Sequence, residues 1–183
     1  MGTATLLSAE DFELVAQVLG SCELVRGEIV PMSPGGILHS LVTANAFRVL
    51  DSHCRPLKIG RVLTGEAGVV VARRPDTVRG ADVAFISYQR LPKGPTEYGF
   101  LKQPPELVIE VLSKDTSWEK MEEKIADYHA MGVDLVWVLD PQTMTLRACQ
   151  RGGSPLLLRD TDTVTADPLV PGFTVSVGAF FEE

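Results

Sequence analysis

The sequence predicts an α/β fold, a mixed sheet with helices packed on it. Three features carry that expectation. From Ile37 onward the hydrophobic periodicity runs helix, strand, strand, strand, helix, strand. The run Leu107-Val108-Ile109-Glu110-Val111-Leu112 is aliphatic at five of six positions, as in a strand buried on both faces. A helical stretch then leads to a second apolar run, Val133–Leu139, and a crossover of that kind sets two parallel strands side by side.

The elements follow in order. Ser8 and Asp11 resemble a capping box opening a helix that Gly20 ends. Cys22–Val25 and Glu28–Met32 flank Arg26-Gly27, a tight hairpin turn. Pro34-Gly35-Gly36 breaks the chain before a helix from Ile37 to about Cys54. Strands are expected at roughly Arg61–Ala72, Ala81–Ser87 and Glu106–Leu112, divided by Arg74-Pro75-Asp76 and Pro92-Lys93-Gly94-Pro95. A helix follows over Ser117–Met131, stopped by Gly132, then strands at Val133–Leu139 and Met144–Gln150. The remainder reads as extra C-terminal strands and loops closing the sheet.

Composition bounds the function. The chain has 183 residues, 45% hydrophobic and 22% charged, which suits one packed domain over residues 1–183. Cys22, Cys54 and Cys149 form no C-x-x-C pair, arguing against structural zinc and for reduced thiols. With no secretory pattern and no membrane-length apolar run, a soluble cytoplasmic protein is expected. The net charge of −7 disfavours a polyanionic ligand, yet residues 48–102 carry a local net of +5.

Chemistry concentrates on three residues. Glu110 interrupts an otherwise aliphatic strand, where an ionised carboxylate must be paired, hold a cation or take up a proton. A place at the solvent-facing sheet end is the alternative. Asp82 opens the apolar run Asp82-Val83-Ala84-Phe85-Ile86 and raises the same question, against a simple turn hydrogen bond. On the helix, Lys124 falls within the apolar stripe of Trp118, Met121, Ile125, Tyr128 and Met131. An inward ammonium needs a carboxylate or an anion, unless it snorkels outward. Together the two acids suit Mg²⁺ or Mn²⁺, and acids plus lysine suit metal-dependent phosphodiester hydrolysis.

Longer fragments carry a resemblance. They are Cys22-Glu23-Leu24-Val25-Arg26-Gly27-Glu28, Met32-Ser33-Pro34 with His39, Val78-Arg79-Gly80-Ala81-Asp82-Val83, Pro105-Glu106-Leu107-Val108-Ile109-Glu110-Val111-Leu112-Ser113, Met121-Glu122-Glu123-Lys124 through Tyr128, and Val136-Trp137-Val138-Leu139-Asp140-Pro141. In order and spacing the chain resembles the Uma-two family of the PD-(D/E)xK, restriction-endonuclease-like superfamily. That resemblance implies an αβββαβ core and a metal-dependent endonuclease. By it Asp82, Glu110 and the Val111 carbonyl hold Mg²⁺ or Mn²⁺, and Lys124 orients the water. Lys124 replaces a lysine usually found two residues after the second acid, where this chain has Leu112. The resemblance also places Glu28 and His39 near the site and makes a homodimer plausible. Ala81 stands where the family pattern has proline.

DNA is then the expected partner, with Arg73, Arg74 and Arg79 on its phosphates. The alternatives are a non-catalytic binding or assembly module of the same fold, in which Lys124 and Glu110 form a structural ion pair, or a phosphodiesterase for RNA or small substrates.

Overall fold

The structure is a computed structural model, and it describes residues 6–96, 98–114 and 116–182. The chain opens with helix α1 (Ala9–Leu19), capped as the sequence implies: Ser8 accepts from the Asp11 N–H, and Asp11 returns the bond to Ser8. Strands β1 (Cys22–Val25) and β2 (Glu28–Pro31) form an antiparallel hairpin. Its turn holds Arg26 and Gly27 at φ of 51° and 82°, the left-handed pair a two-residue hairpin of this twist requires. Helix α2 (Ile37–Leu57) runs one turn past the expected end at Cys54, passing through Pro56.

Strands β3 (Gly60–Ala72), β4 (Thr77–Ser87) and β5 (Leu107–Val111) follow, then helix α3 (Trp118–Met131) and strands β6 (Leu135–Asp140), β7 (Thr145–Gln150) and β8 (Leu156–Arg159). The order α2-β3-β4-β5-α3-β6 is the predicted αβββαβ core. β5 and β6 are parallel, joined through α3, as the crossover rule anticipates. The main sheet runs β2-β1-β4-β5-β6-β7-β8, with β3 also on β4. A small hairpin, β9 (Thr163–Thr165) with β10 (Thr174–Ser176), and a final 3₁₀ turn at Val177–Phe180 complete the C-terminal region.

Apolar alternation sorts the layers. On β5, Leu107, Ile109 and Val111 pack against α2 and the C-terminal segment, together with Trp137 and Phe180. Val108 packs on the opposite face with Met121 and Tyr128 of α3. By the same alternation Glu110 faces α3. Trp137 is a core residue, fully buried between Phe173 and Phe180. Trp118 departs from the predicted stripe: it is partly exposed, beneath the Arg147 guanidinium 4.1 Å from its ring centroid. Among the described residues no helix is long and apolar enough to cross a membrane.

One irregularity of the sheet positions everything that follows. β3 pairs with β4 along its length, from Thr77 to Ser87. The other edge of β4 is divided: β1 meets it at Val78, and β5 from Val83 to Phe85. Residues 79–82 lie in the gap between those two partners. Backbone groups of this stretch that face the gap, those of Gly80, are met by side chains.

Candidate active site

The gap is filled by charged side chains from four elements. Glu23 of β1 accepts a hydrogen bond from the Gly80 N–H through Oε1 (2.9 Å). Lys124 of α3 donates from Nζ to the Gly80 carbonyl (2.7 Å). The Asp82 carboxylate leaves β4 and accepts from the Val111 N–H at 2.8 Å, replacing the strand pairing that ends at Val83 and Ile109. Acid and ammonium thus bridge the opening where the strands separate.

A continuous network links Glu23, Lys124 and Glu110, with Asp82 beside it. Lys124 Nζ lies 2.8 Å from Glu110 Oε2 and 3.1 Å from Glu23 Oε1. Its ammonium donates to the Gly80 carbonyl and to Glu110, and Glu23 adds a second negative charge against it. Glu110 also accepts from the Tyr128 hydroxyl through Oε1 (2.7 Å). Arg79 donates to Glu23 Oε2 (2.8 Å) and, with two nitrogens, to Asp127. His39, at the start of α2, brings Nε2 to 3.4 Å from Asp82 Oδ2. Relative exposure is 8% for Asp82, 2% for Glu110, 8% for Lys124 and 4% for Glu23, so this is a floor rather than a rim.

Burial decides the protonation pattern. It pushes Glu110 up to about 7; Lys124 opposes this, while the charge of Asp82 adds to it. Lys124 would be lowered by burial, but Glu110 and Glu23 hold it firmly charged. Burial raises Glu23 too, and there Lys124 and Arg79 prevail and keep it below the usual carboxylate range. The hydrogen bond to Asp82 raises His39 against the effect of burial.

A stability trend follows. Glu110 binds its proton more tightly in the folded state than in the unfolded chain. Its contribution is therefore full below the unfolded value near 4.5 and is lost as pH rises through about 7. Wild-type stability, measured by urea unfolding, is expected to decline across that window. Glu110→Gln should flatten the decline, and an unchanged slope would remove Glu110 as its source.

The acids present a hard oxygen donor set. Asp82 and Glu110 come from adjacent strands, and among the described residues no hydrogen bond reaches Asp82 Oδ1. Two carboxylates and a backbone carbonyl, completed by water, suit Mg²⁺ or Mn²⁺ better than a soft metal. Among the described residues no three His, Cys, Asp or Glu side chains gather into a metal-holding group, so any such ion would keep several waters. Cys22, Cys54 and Cys149 are free thiols.

The sequence profile of the Uma2 family, described as "Putative restriction endonuclease", matches residues 9–178. The chain belongs to the Uma2 family. Its fold matches a crystal structure from Anabaena variabilis, described as that of a putative nuclease belonging to DUF820, with a TM-score of 0.80. The two chains are 19% identical, and the match covers 96% of this chain and 97% of that one. At that identity the likeness is one of fold. No curated protein matches the chain.

Within this Uma2 fold, Asp82, Glu110, Lys124 and His39 converge, as does the backbone of Val111. Glu28 does not. It sits exposed beside the hairpin turn, outside the lining of the cleft. Glu23, five residues earlier, fills the acidic position on that hairpin. Because Leu24 packs fully buried toward α1, the period of two turns Glu23 away from that core. The hairpin register pairs Val25 with Glu28, so the same alternation puts Glu28 on the face of Glu23, and position along the hairpin separates the two. Leu112 is half-buried and apolar, and Lys124 reaches Glu110 from α3.

Two of the three arginines expected on phosphates are otherwise engaged. Arg73 is held by Glu10 and Asp76 at the β3–β4 turn, each 2.8 Å away. Arg74 stands exposed in the same turn, and neither lines the cleft. Arg79 lines it, but as a buried part of the Glu23–Asp127 network.

Proposed function

We propose that this protein is a divalent-metal-dependent endonuclease that hydrolyses phosphodiester bonds in DNA. The observation that carries the reading is the β4 gap. Three carboxylates, those of Glu23, Glu110 and Asp127, share one network with Lys124 and Arg79, and Asp82 lies beside it against His39 and the Val111 N–H, so four acids face two permanent cations. Half-paired buried acids are costly unless protons or a cation balance them. An oxygen-lined site short of positive charge suits Mg²⁺ or Mn²⁺, held by Asp82, Glu110 and the Val111 carbonyl.

Such an ion, when bound, supplies Lewis acidity toward a phosphoryl oxygen and a water of lowered pKa. The chain's own residues supply the rest. Glu23 and the Gly80 carbonyl fix the Lys124 ammonium beside Glu110, where it steadies negative charge developing on the phosphate. Tyr128 holds the second Glu110 oxygen and so orients the carboxylate. His39, kept cationic over a wider pH range by Asp82, is placed to pass a proton at the cleft mouth. Membership of a restriction-endonuclease family supports nucleic acid as the substrate class, and a homodimer would supply a second site for a second strand.

One observation favours a second reading. Lys124 donates to the Gly80 carbonyl and Glu110 and lies against Glu23, which is what a structural ion pair in a non-catalytic binding module would show. Calorimetric titration with Mn²⁺ separates the two. Heat of binding that disappears in Glu110→Gln, with Mn²⁺-dependent nicking of plasmid DNA, is the expected result. Absence of both, with a destabilised Glu110→Gln, would leave the module.

A further inference from the structure

We infer that the cleft takes an unpaired nucleotide, so that the strand acted on is single-stranded or locally extruded from a duplex; this rests on the nuclease reading above. The cleft encloses about 610 Å³, well within the range of small-ligand sites. Its floor is the buried acid–lysine network, with Glu110 only 2% exposed. A phosphate must enter the cleft to reach it. A nucleotide held in a stacked, paired duplex cannot do so without its neighbours, whereas an unstacked one can.

The walls are of two kinds. Part of the lining is apolar: Phe100, Met32, Val25, Val30 and Met121 all line the cleft. Phe100 rests on Phe12, with ring centroids 5.5 Å apart, and lies over Gly68, where an added Cβ would come within 2.2 Å of the ring. Gly68 thereby makes room for an aromatic ring beside the site. The part of Phe100 left uncovered lines the cleft, and Met32 and Val30 are exposed at its mouth. An acid floor together with aromatic and thioether surface in one cleft matches one phosphate and its base.

Charge points the same way. Among the cleft-lining side chains, five carboxylates outnumber three permanent cations, Arg79, Lys120 and Lys124, with the titratable His39 beside them. Arg79 and Lys124 are bound up in the floor network. A duplex would bring roughly one negative charge per 1.7 Å of its axis to this acidic opening. The wall offers stacking, which every base can use, in place of a track of phosphate contacts.

The test is fluorescence anisotropy with the full chain in Ca²⁺. The probes are a labelled single strand of roughly 12 nucleotides, its perfect duplex, and that duplex with one central unpaired nucleotide. The single strand and the interrupted duplex are expected to bind at least about tenfold more tightly than the perfect duplex. Phe100→Leu, which keeps packing volume but removes the ring, and the surface variant Met32→Ala should each weaken single-strand binding about five- to tenfold. Circular dichroism melting confirms that both variants fold. Equal or tighter binding of the perfect duplex, insensitivity to both variants, or binding of none of the probes would overturn the inference. Cleavage of the same probes in Mn²⁺ separates it from the reading beneath. Preference for unpaired strands without cleavage refutes the nuclease and keeps the pocket, and equal cleavage of the perfect duplex does the opposite.

Discussion

Lys124→Met is expected to destabilise the fold by about 3–5 kcal/mol, the range for removing one partner of a buried ion pair. The reason is the number of groups it leaves behind. Glu110, Glu23 and the Gly80 carbonyl would all lose the same donor in a space too buried for bulk water to replace it. Methionine fills a similar volume, so packing is not the cause. The loss should be smaller near about pH 5 than near about pH 7.5, because Glu110 can then take up a proton and cease to be an unpaired anion. Urea unfolding followed by circular dichroism at the two pH values measures both effects. A change under about 1 kcal/mol at either pH would mean the ammonium contributes no more than a surface ion pair.

The network explains which parts of the fold the sequence makes legible. Periodicity finds α1, α2, α3 and the β5–β6 pair because each buries a regular apolar set against the core. Lys124 is visible for the same reason, as a charge inside an apolar stripe. Where regularity fails, so does the reading. β4 begins at Thr77 rather than Ala81, since Arg79 and Gly80 look like turn residues. They are strand residues whose outer edge is served by Glu23 and Lys124 in place of a neighbouring strand. β6 starts at Leu135, two residues later than the apolar run suggests, because Val133 packs beneath α3.

The same limit governs the site. Asp82 and Glu110 stand out because each is a carboxylate in an apolar strand. Glu23 does not, because β1 is only four residues long and its one close strand pairing with β4 is at Leu24 and Val78. No local pattern reports that β1 and β5 share one edge of β4. That is a long-range property of the sheet, and it decides that Glu23 rather than Glu28 reaches Lys124. The misplaced arginines have a related cause. A basic stretch in the sequence marks a surface only when its acids are elsewhere, and Glu10, Asp76, Glu23 and Asp127 fold back onto Arg73 and Arg79.

Asp82→Asn should separate chemistry from stability, which Lys124→Met cannot. The asparagine oxygen can still accept from the Val111 N–H, so the bridge from β4 to β5 survives. Losing the charge also removes one of the influences that raise Glu110. Stability is therefore expected to change by less than about 1 kcal/mol, with the gain at Glu110 offsetting the weakened His39 contact. Mn²⁺ binding and Mn²⁺-dependent cleavage should nevertheless fall by more than the roughly 10–100-fold typical of losing a group one step removed from a metal. Calorimetry, a cleavage assay and urea unfolding on the same preparation read the three quantities together. An Asp82→Asn protein that still binds Mn²⁺ like the wild type would remove Asp82 from the cation site and leave the gap in β4 bridged for purely structural reasons. Loss of metal and activity at unchanged stability is the pattern of a functional carboxylate, because the asparagine keeps the strand-bridging hydrogen bond and removes only the charge.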